Sequence, residues 1–285
     1  MIRASFGALV AALLVTPEAR AAKLVWPEDV PHFRVSEYAA VGVLLGVNLY
    51  VELGMKSPMT AGWTRPILFD NAARTAFRLP ERDQRESLSL LSDLTLHIPQ
   101  FQPVVLDAAI AIGRGSWETA WQIEMMSAMG AGITGVLTRV PLNLLGRERP
   151  DAEECRKDRD YSVKCNRGTY SSFPSGHTSF AFTGAALSCA HHLRLHLWDS
   201  RAADIATCVA GLTLATTTAV TRLMMDRHWA SDVLIGAGIG LASGFGVAYL
   251  LHYAPFVAIK TKDVRATFVP ATFGTAIGAQ MVGVF

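Results

Sequence analysis

The sequence predicts an all-α membrane protein, a polytopic bundle of about six helices with its functional site at one membrane surface. Hydrophobic residues make up 51% of the 285 residues, and the mean hydropathy is +0.27, which is high for a soluble globular protein. The basic residues gather in 56–85, 139–167 and 260–265, between apolar runs. Two of these runs, 202–220 and 233–251, are long and apolar enough to cross a bilayer.

The first 21 residues resemble a secretory signal peptide or a first membrane anchor. A positive tip at Arg3 precedes an apolar stretch and an Ala-Arg-Ala ending that suits cleavage after Ala21. The apolar stretch is too short to span a bilayer comfortably. We therefore expect residues 1–21 to be a cleaved signal, with a retained anchor as the alternative.

The remaining apolar segments define a membrane domain over residues 36–255, with a motif core at 139–251. The segments are 36–55, 88–112, 117–145, 178–196, 202–220 and 233–251. The second of them contains Pro99, Pro103 and several polar residues, which predicts a broken or interfacial helix. Residues 256–285 form a Gly-rich C-terminal tail with a strand-like alternation.

Charge and cysteine content narrow the classes of partner. A formal net charge of +2, without a basic run that has interleaved aromatics, predicts no nucleic-acid partner. The four cysteines form no metal-binding pattern. Cys155 and Cys165 share a polar loop, either as free thiols or as a disulfide that would persist only in an oxidising compartment. Cys189 and Cys208 are expected to be small core residues.

Three short polar clusters interrupt the apolar sequence. They lie at 146–150, 173–179 and 221–232, each where a polar loop meets an apolar run. The two runs at 178–196 and 202–220 separate the second cluster from the third. If both cross the membrane, all three clusters meet at the same surface.

The third cluster suits attack on phosphorus. His228 and Asp232 are four residues apart at the start of a helix, and therefore share a face. A carboxylate that holds one ring N–H leaves the other imidazole nitrogen free to attack. Arg222 offers a planar fork for phosphate oxygens. By itself the pair is a weak signal and is more typical of a capped structural histidine.

The other two clusters suit anion binding. Ser175 and Gly176 precede a helix whose first-turn amides point toward whatever lies in front of them. His177 stands beside that position and is placed to protonate a leaving oxygen. Arg149 brings a guanidinium to the same boundary. The alternatives are an N-cap by Ser175 with His177 merely exposed, and an arginine that extends to the membrane surface.

In this order and spacing the clusters resemble the type 2 phosphatidic acid phosphatase family, which includes bacterial acid phosphatases and vanadium haloperoxidases. The family pattern is Lys, six residues, Arg-Pro; then Pro-Ser-Gly-His; then Ser-Arg, five residues, His, three residues, Asp. The matching residues are Arg149 and Pro150, residues 174–177, and Arg222, His228 and Asp232. The resemblance covers roughly residues 100–255.

The resemblance implies a role for each matching residue. His228 would be the nucleophile that forms a phosphohistidine, Asp232 its orienting partner and His177 the acid that protonates the leaving group. The implied phosphate-binding groups are Arg149, Arg222 and the amides of Ser175 and Gly176. No metal or cofactor is required.

Two positions depart from the family pattern. Leu142 occupies the position of the family lysine, so that one phosphate-binding cation is missing. Arg139, one turn earlier, and Arg147, in the following loop, are the candidate substitutes. Thr221 replaces the family serine and keeps a hydroxyl group.

The function implied is that of a metal-independent phosphatase that hydrolyses a membrane lipid phosphate or diphosphate. The alternatives are a vanadate-dependent haloperoxidase and a non-catalytic phosphate-binding membrane protein. We expect a multi-pass protein of the bacterial inner membrane, with its site facing the periplasm. If the signal is cleaved, residue 22 lies outside the membrane, and the three spans that follow would place the 146–172 loop on the cytoplasmic side. The periplasmic orientation therefore requires a retained N-terminal segment, or that 36–55 or 88–112 does not cross.

Overall fold

The computed structural model describes residues 22–158, 165 and 168–253, and the backbone of 259–261, 264–273 and 276–284. The signal-like segment 1–21 lies outside the described residues. The helices are α1 (Val35–Gly54), α2 (Asp70–Phe77), α3 (Arg82–Ser87), α4 (Ser89–Gln102), α5 (Ala108–Gly113), α6 (Trp117–Leu145), α7 (Ala152–Lys157), α8 (Gly176–Leu195), α9 (Arg201–Met224) and α10 (Ala230–Phe245). A π-helical segment, Pro103–Asp107, joins α4 to α5, and another, Gly246–Tyr253, extends α10.

The all-α prediction is confirmed for the bundle. Within the described residues, the six predicted apolar segments correspond to α1, α4 with α5, α6, α8, α9 and α10 with its extension. The helices Arg201–Met224 and Ala230–Tyr253 are long and apolar enough to cross a membrane by length and composition. They contain the two runs that the sequence indicated most clearly.

Proline breaks the second apolar segment, as predicted. Pro103 is the first residue of the π-helical segment between α4 and α5. Since proline has no backbone N–H and its ring crowds the preceding turn, the regular α-helical ladder does not continue through it. Asp107 ends this segment and is completely buried.

The outer faces of the bundle carry large exposed hydrophobic side chains. They include Leu45 and Leu49 of α1, Leu94 of α4, Val209 of α9 and Leu234 of α10. Such a distribution is unfavourable in water and suits contact with lipid. The interior of the bundle contains Ile123, Met126 and Leu187.

Close packing of α10 on α8 places their N-terminal ends side by side. Gly236, Gly240 and Gly244 form a stripe on α10, and a Cβ at Gly240 would lie only 2.4 Å from the carbonyl oxygen of Ser179. The stripe lets the two backbones touch, as small residues do between membrane helices. Because α8 and α10 each begin beside a motif residue, this contact helps to build the site.

A buried polar network and a disulfide join α8 to α9 away from the motifs. Nδ1 of His192 lies 2.7 Å from Oδ1 of Asp204, and Nε2 lies 3.2 Å from Oδ1 of Asp107. Cys189 and Cys208 are buried, as expected of core residues, but their sulfurs are bonded to each other, which we did not expect.

The C-terminal tail is strand-like, in agreement with its alternating pattern. Strands β1 (Ile259–Thr261), β2 (Val264–Phe273) and β3 (Ala276–Val284) form an antiparallel sheet in the order β1-β2-β3. In the β2–β3 pair, Arg265 is opposite Val284 and Phe273 is opposite Ala276.

Candidate active site

Backbone and side-chain hydrogen bonds bring the three sequence clusters together. The Ser172 amide donates to the carbonyl of Arg147 at 3.0 Å, and the Ser175 amide donates to the carbonyl of Asp232 at 3.1 Å. The Trp229 indole N–H donates to the carbonyl of Glu148 at 2.8 Å. The loop after α6, the start of α8 and the start of α10, which carry the three clusters, therefore lie side by side.

His228 is held through its Nδ1 atom. This nitrogen lies 2.7 Å from the carbonyl oxygen of Ser172, which can only accept, so Nδ1 carries the proton. Nε2 is then unprotonated and lies 3.3 Å from Nη1 of Arg149. The lone pair on Nε2 of this buried, neutral imidazole thus points toward the Arg149 guanidinium. A phosphate bound to Arg149 would lie next to this lone pair.

Asp232 does not bind the imidazole directly, in contrast to the pairing that we expected from the motif. Its Oδ2 lies 3.7 Å from Nδ1 of His228. The same oxygen accepts from the Ser172 hydroxyl at 2.6 Å and from the Trp229 amide at 2.9 Å. Because Asp232 caps α10 in this way, its influence on His228 passes through Ser172.

The surroundings of His228 favour its neutral form. Burial lowers the pKa of His228 well below its ordinary value, and the charges of Arg149, Arg222 and His177 lower it further. The hydrogen bond to the Ser172 carbonyl acts in the opposite direction and is the smallest contribution. The imidazole is therefore neutral at neutral pH, with Nδ1 protonated and Nε2 unprotonated.

Arg149 is fixed by three carbonyl oxygens. Nε donates to Gly168 at 2.6 Å, Nη1 to Arg227 at 2.7 Å and Nη2 to Ser171 at 2.9 Å. Burial also lowers the pKa of Arg149. A guanidinium held on one side by backbone groups is preorganised for an anion on the other side.

Arg222 is the second motif arginine, and its side chain is also buried. Its Nε has no hydrogen-bond partner within the part of the chain that the structure describes. An unpaired buried N–H costs free energy unless a ligand satisfies it. This donor lies near Arg149 and His228, since the charge of Arg222 acts on the titration of His228 together with that of Arg149.

The start of α8 has features of both interpretations of its sequence, the N-cap by Ser175 and the placement of His177 in the first turn. Ser175 is buried and caps the helix, since its hydroxyl is 2.9 Å from that of Thr178 and accepts from the Thr178 amide at 3.5 Å. The helix then begins at Gly176. His177 projects from its first turn, and its Nε2 lies 3.4 Å from Oδ1 of Asp93 on α4.

Arg147 is a structural residue rather than a cation available to phosphate. It is 1% exposed, and it pairs with Oδ2 of Asp70 at 2.6 Å and with Oδ1 of Asp232. Its guanidinium carbon lies 3.9 Å from the ring centre of Trp63. Two carboxylates compensate its charge, which argues against it as the replacement for the family lysine.

The charge of the other candidate, Arg139, is also paired with a carboxylate. Arg139 pairs with Glu52 of α1, and both side chains are substantially exposed. Leu142 is half-buried, and the Thr221 hydroxyl donates to the carbonyl of Thr218 at 2.9 Å. The arginines that act on His228 are thus Arg149 and Arg222.

A disulfide lies in the loop that follows Arg149. The sulfurs of Cys155 and Cys165 are bonded, with their Cα atoms 5.2 Å apart. Asp151, just before α7, accepts from Nη1 of Arg227 at 2.9 Å. These links connect the loop to the segment that carries His228. Across the described residues, no group of three or more His, Cys, Asp or Glu side chains is arranged to hold a metal ion.

Three residues of the site were not identified from the sequence. Ser172 acts through its carbonyl, which any residue would supply, so no side-chain pattern reveals it. Asp70 and Asp93 lie far from the motifs along the chain. The presence of Asp93 in an otherwise apolar segment was the one signal that could have indicated a function.

Comparison with known proteins agrees with the motifs. A family model described as PAP2 superfamily matches residues 123–256. The chain is 29% identical over 150 residues to a lipid A 1-phosphatase of Porphyromonas gingivalis. The aligned region covers 52% of this chain and 28% of that protein. It is 24% identical over 170 residues to a probable diacylglycerol pyrophosphate phosphatase 1 of Schizosaccharomyces pombe. That alignment covers 53% of this chain and 60% of that protein.

Among solved structures, the chain is similar to the first transmembrane PAP2 type phosphatidylglycerolphosphate phosphatase from Bacillus subtilis. The TM-score is 0.47 with 20% sequence identity, over 75% of this chain and 92% of that one. The chain matches less than two thirds of the length of either curated relative. Residues 123–256, which contain all three motifs, are therefore similar to the PAP2 superfamily.

Proposed function

We propose that this protein is a metal-independent phosphatase that hydrolyses a membrane lipid phosphate or diphosphate through a phosphohistidine intermediate. The observation that carries the proposal is the orientation of His228. Its Nδ1–H is held by the Ser172 carbonyl, while Nε2 faces Arg149 at 3.3 Å. This arrangement presents a lone pair to a phosphate-binding group and does not require a base to generate it.

The reaction follows from the positions of three side chains. Nε2 of His228 attacks phosphorus, and the bond from phosphorus to the leaving oxygen breaks as His177 transfers a proton to that oxygen. Arg149 and Arg222 stabilise the charge on the transferring phosphoryl group. Water then attacks phosphorus, the N–P bond breaks, and His177 takes up the proton that the water loses.

An apolar groove beside the site supports a lipid substrate. The groove, of about 560 Å³, runs between α4 and α9. It is lined by Leu88, Leu91, Val209, Leu212, Thr213, Thr216, Thr217, Val220, Thr221 and Met224. Thr221 and Met224 flank Arg222 along α9, so a hydrocarbon chain in the groove would have its phosphate end near the arginines. Both curated relatives are named for phosphates or pyrophosphates carried by lipids.

The disulfide beside the site supports placement at the periplasmic face of a bacterial inner membrane. A Cys155–Cys165 bond persists in an oxidising compartment, and the periplasm is one. After reduction, a membrane-impermeant thiol reagent should label Cys155 in intact cells. Labelling only after lysis would place the site on the cytoplasmic side.

The decisive experiment measures phosphate release from a panel of lipid phosphates and diphosphates by detergent-purified protein, with a metal chelator present. His228→Ala should abolish release. His97→Ala is the matched control, since that histidine lies on α4 with its side chain exposed and contacts Gln100. Release by the wild type and the control alone would support the proposal. Release by His228→Ala at the wild-type rate, or no release by any variant, would refute it.

A further inference from the structure

Asp93 is the carboxylate that lies beside the proposed acid. It is on α4, outside the region that the family model matches and outside the three motifs. Its Oδ1 is 3.4 Å from Nε2 of His177. The side chain of Asp93 is 55% exposed and that of His177 is 35% exposed, so both are accessible to a substrate that enters from the membrane surface.

The position of Asp93 relative to His177 is fixed by packing. A Cβ at Gly184 of α8 would lie 2.1 Å from the carbonyl oxygen of Pro99, so the backbones of α4 and α8 are in direct contact. One turn before Pro99 on α4, the hydroxyl of Thr95 accepts from the Thr218 hydroxyl of α9 at 3.0 Å. Asp93 is half a turn before Thr95, and its Cα therefore cannot move freely with respect to α8.

The charges around His177 indicate a specific role for Asp93. His177 acts on the titration of His228 together with Arg149 and Arg222, and guanidinium groups favour loss of a proton from a nearby imidazole. Asp93 also interacts electrostatically with Arg222. An acid that must hold its proton until the leaving group departs needs an opposing negative charge. Asp93 supplies this charge from α4.

On the basis of the proposed function, we infer that Asp93 is a positioning residue that accepts the Nε2–H of His177 and keeps the imidazolium ready to act as the acid. The proton that reaches the leaving oxygen then comes from Nδ1. His177 is left neutral, with Nε2–H still directed at Asp93. Nδ1 next takes a proton from the attacking water, which restores the imidazolium.

The test compares two leaving groups. An aryl phosphate such as p-nitrophenyl phosphate releases a weakly basic oxygen that needs little protonation, whereas a lipid phosphate releases an alkoxide that needs an acid. Asp93→Asn should lower kcat on the lipid phosphate by about tenfold or more, and clearly less on the aryl phosphate. His177→Ala should show the same selectivity in stronger form. Asp93→Glu should recover part of the activity.

Further readouts separate positioning from a merely structural role. Asp83→Asn, the same change at an exposed residue of α3, should leave both substrates unaffected. In Asp93→Asn the alkaline limb of the kcat profile should move to lower pH, because the imidazolium loses its proton more readily. Equal losses on the two substrates, or no loss, would overturn the inference even if His177→Ala discriminates between them. An inactive wild type would instead overturn the proposed function.

Discussion

Nη2 of Arg147 lies 2.6 Å from Oδ2 of Asp70, in an ion pair that is completely buried. Asp70 also accepts from the amide and the hydroxyl of Ser231, both at 2.9 Å. One carboxylate at the start of α2 therefore holds both the loop after α6 and the first turn of α10. The geometry of the candidate site therefore depends on a residue that belongs to none of the motifs.

We predict that Asp70→Ala destabilises the protein strongly. Breaking a buried ion pair typically costs about 3–5 kcal/mol. Arg147 would keep only Asp232 as a partner, and Ser231 would lose both of its hydrogen bonds to Asp70. Thermal unfolding in detergent should show a large decrease in the transition temperature. Asp83→Ala, at an exposed residue of α3, is the control and should unfold like the wild type. Comparable stability of the two variants would contradict the role of Asp70.

Ser172→Ala should separate the two functions of that residue. The carbonyl that holds His228 remains, but the hydroxyl bond to Asp232 at 2.6 Å is lost. A hydrogen bond to a charged group contributes about 1.5–3 kcal/mol, so kcat/KM should decrease by roughly 10- to 100-fold. The decrease should be smaller than that of His228→Ala.

The neighbouring serine provides the control for this prediction. The Ser171 hydroxyl is buried and makes no hydrogen bond within the described residues, while its carbonyl binds Arg149. Ser171→Ala should therefore keep nearly full activity. If both serine variants lose the same activity, the relay from Asp232 through Ser172 is wrong.

The pH dependence should reflect the depressed pKa of His228. Since the nucleophile must be neutral, the acid limb of kcat/KM should lie well below pH 6.5, the ordinary histidine value. The unfolded chain binds a proton near pH 6.5 that the folded protein does not, so stability should decrease as the pH falls below about 6.5. His228→Gln should lose this part of the pH dependence of unfolding. An acid limb at or above pH 6.5 would show that the site does not disfavour the imidazolium.

Gly240→Ala should disrupt the contact between α8 and α10. The new Cβ would lie 2.4 Å from the Ser179 carbonyl, so the helices must separate, with an expected cost of about 1–3 kcal/mol. Because His228 precedes α10, activity should decrease together with stability. Gly238→Ala is the matched control, since a Cβ at that position would have no described atom within 4 Å. Equal behaviour of the two variants would exclude backbone contact as the reason for the stripe.

The sequence by itself determined the helical segments, their approximate bounds and the motif residues that meet at the site. These features are local: apolar runs long enough to cross a bilayer, prolines that break a helix, and short spacings that place side chains on one face. The match between residues 173–179 and the start of α8 is of this kind. Resemblance to a family then added the expected roles of Arg149, His177 and His228.

The tertiary structure decided which partners hold those residues. Arg147 and Asp70 are 77 residues apart in the chain, and His228 binds a carbonyl 56 residues away. Such contacts depend on how α2, α8 and α10 pack. Because every residue has a backbone carbonyl, the residue types do not indicate which carbonyl binds His228. For the same reason the sequence suggested Arg147 as a phosphate ligand, whereas in the fold this buried guanidinium pairs with Asp70 and Asp232, and a buried charge is costly when it is left unpaired.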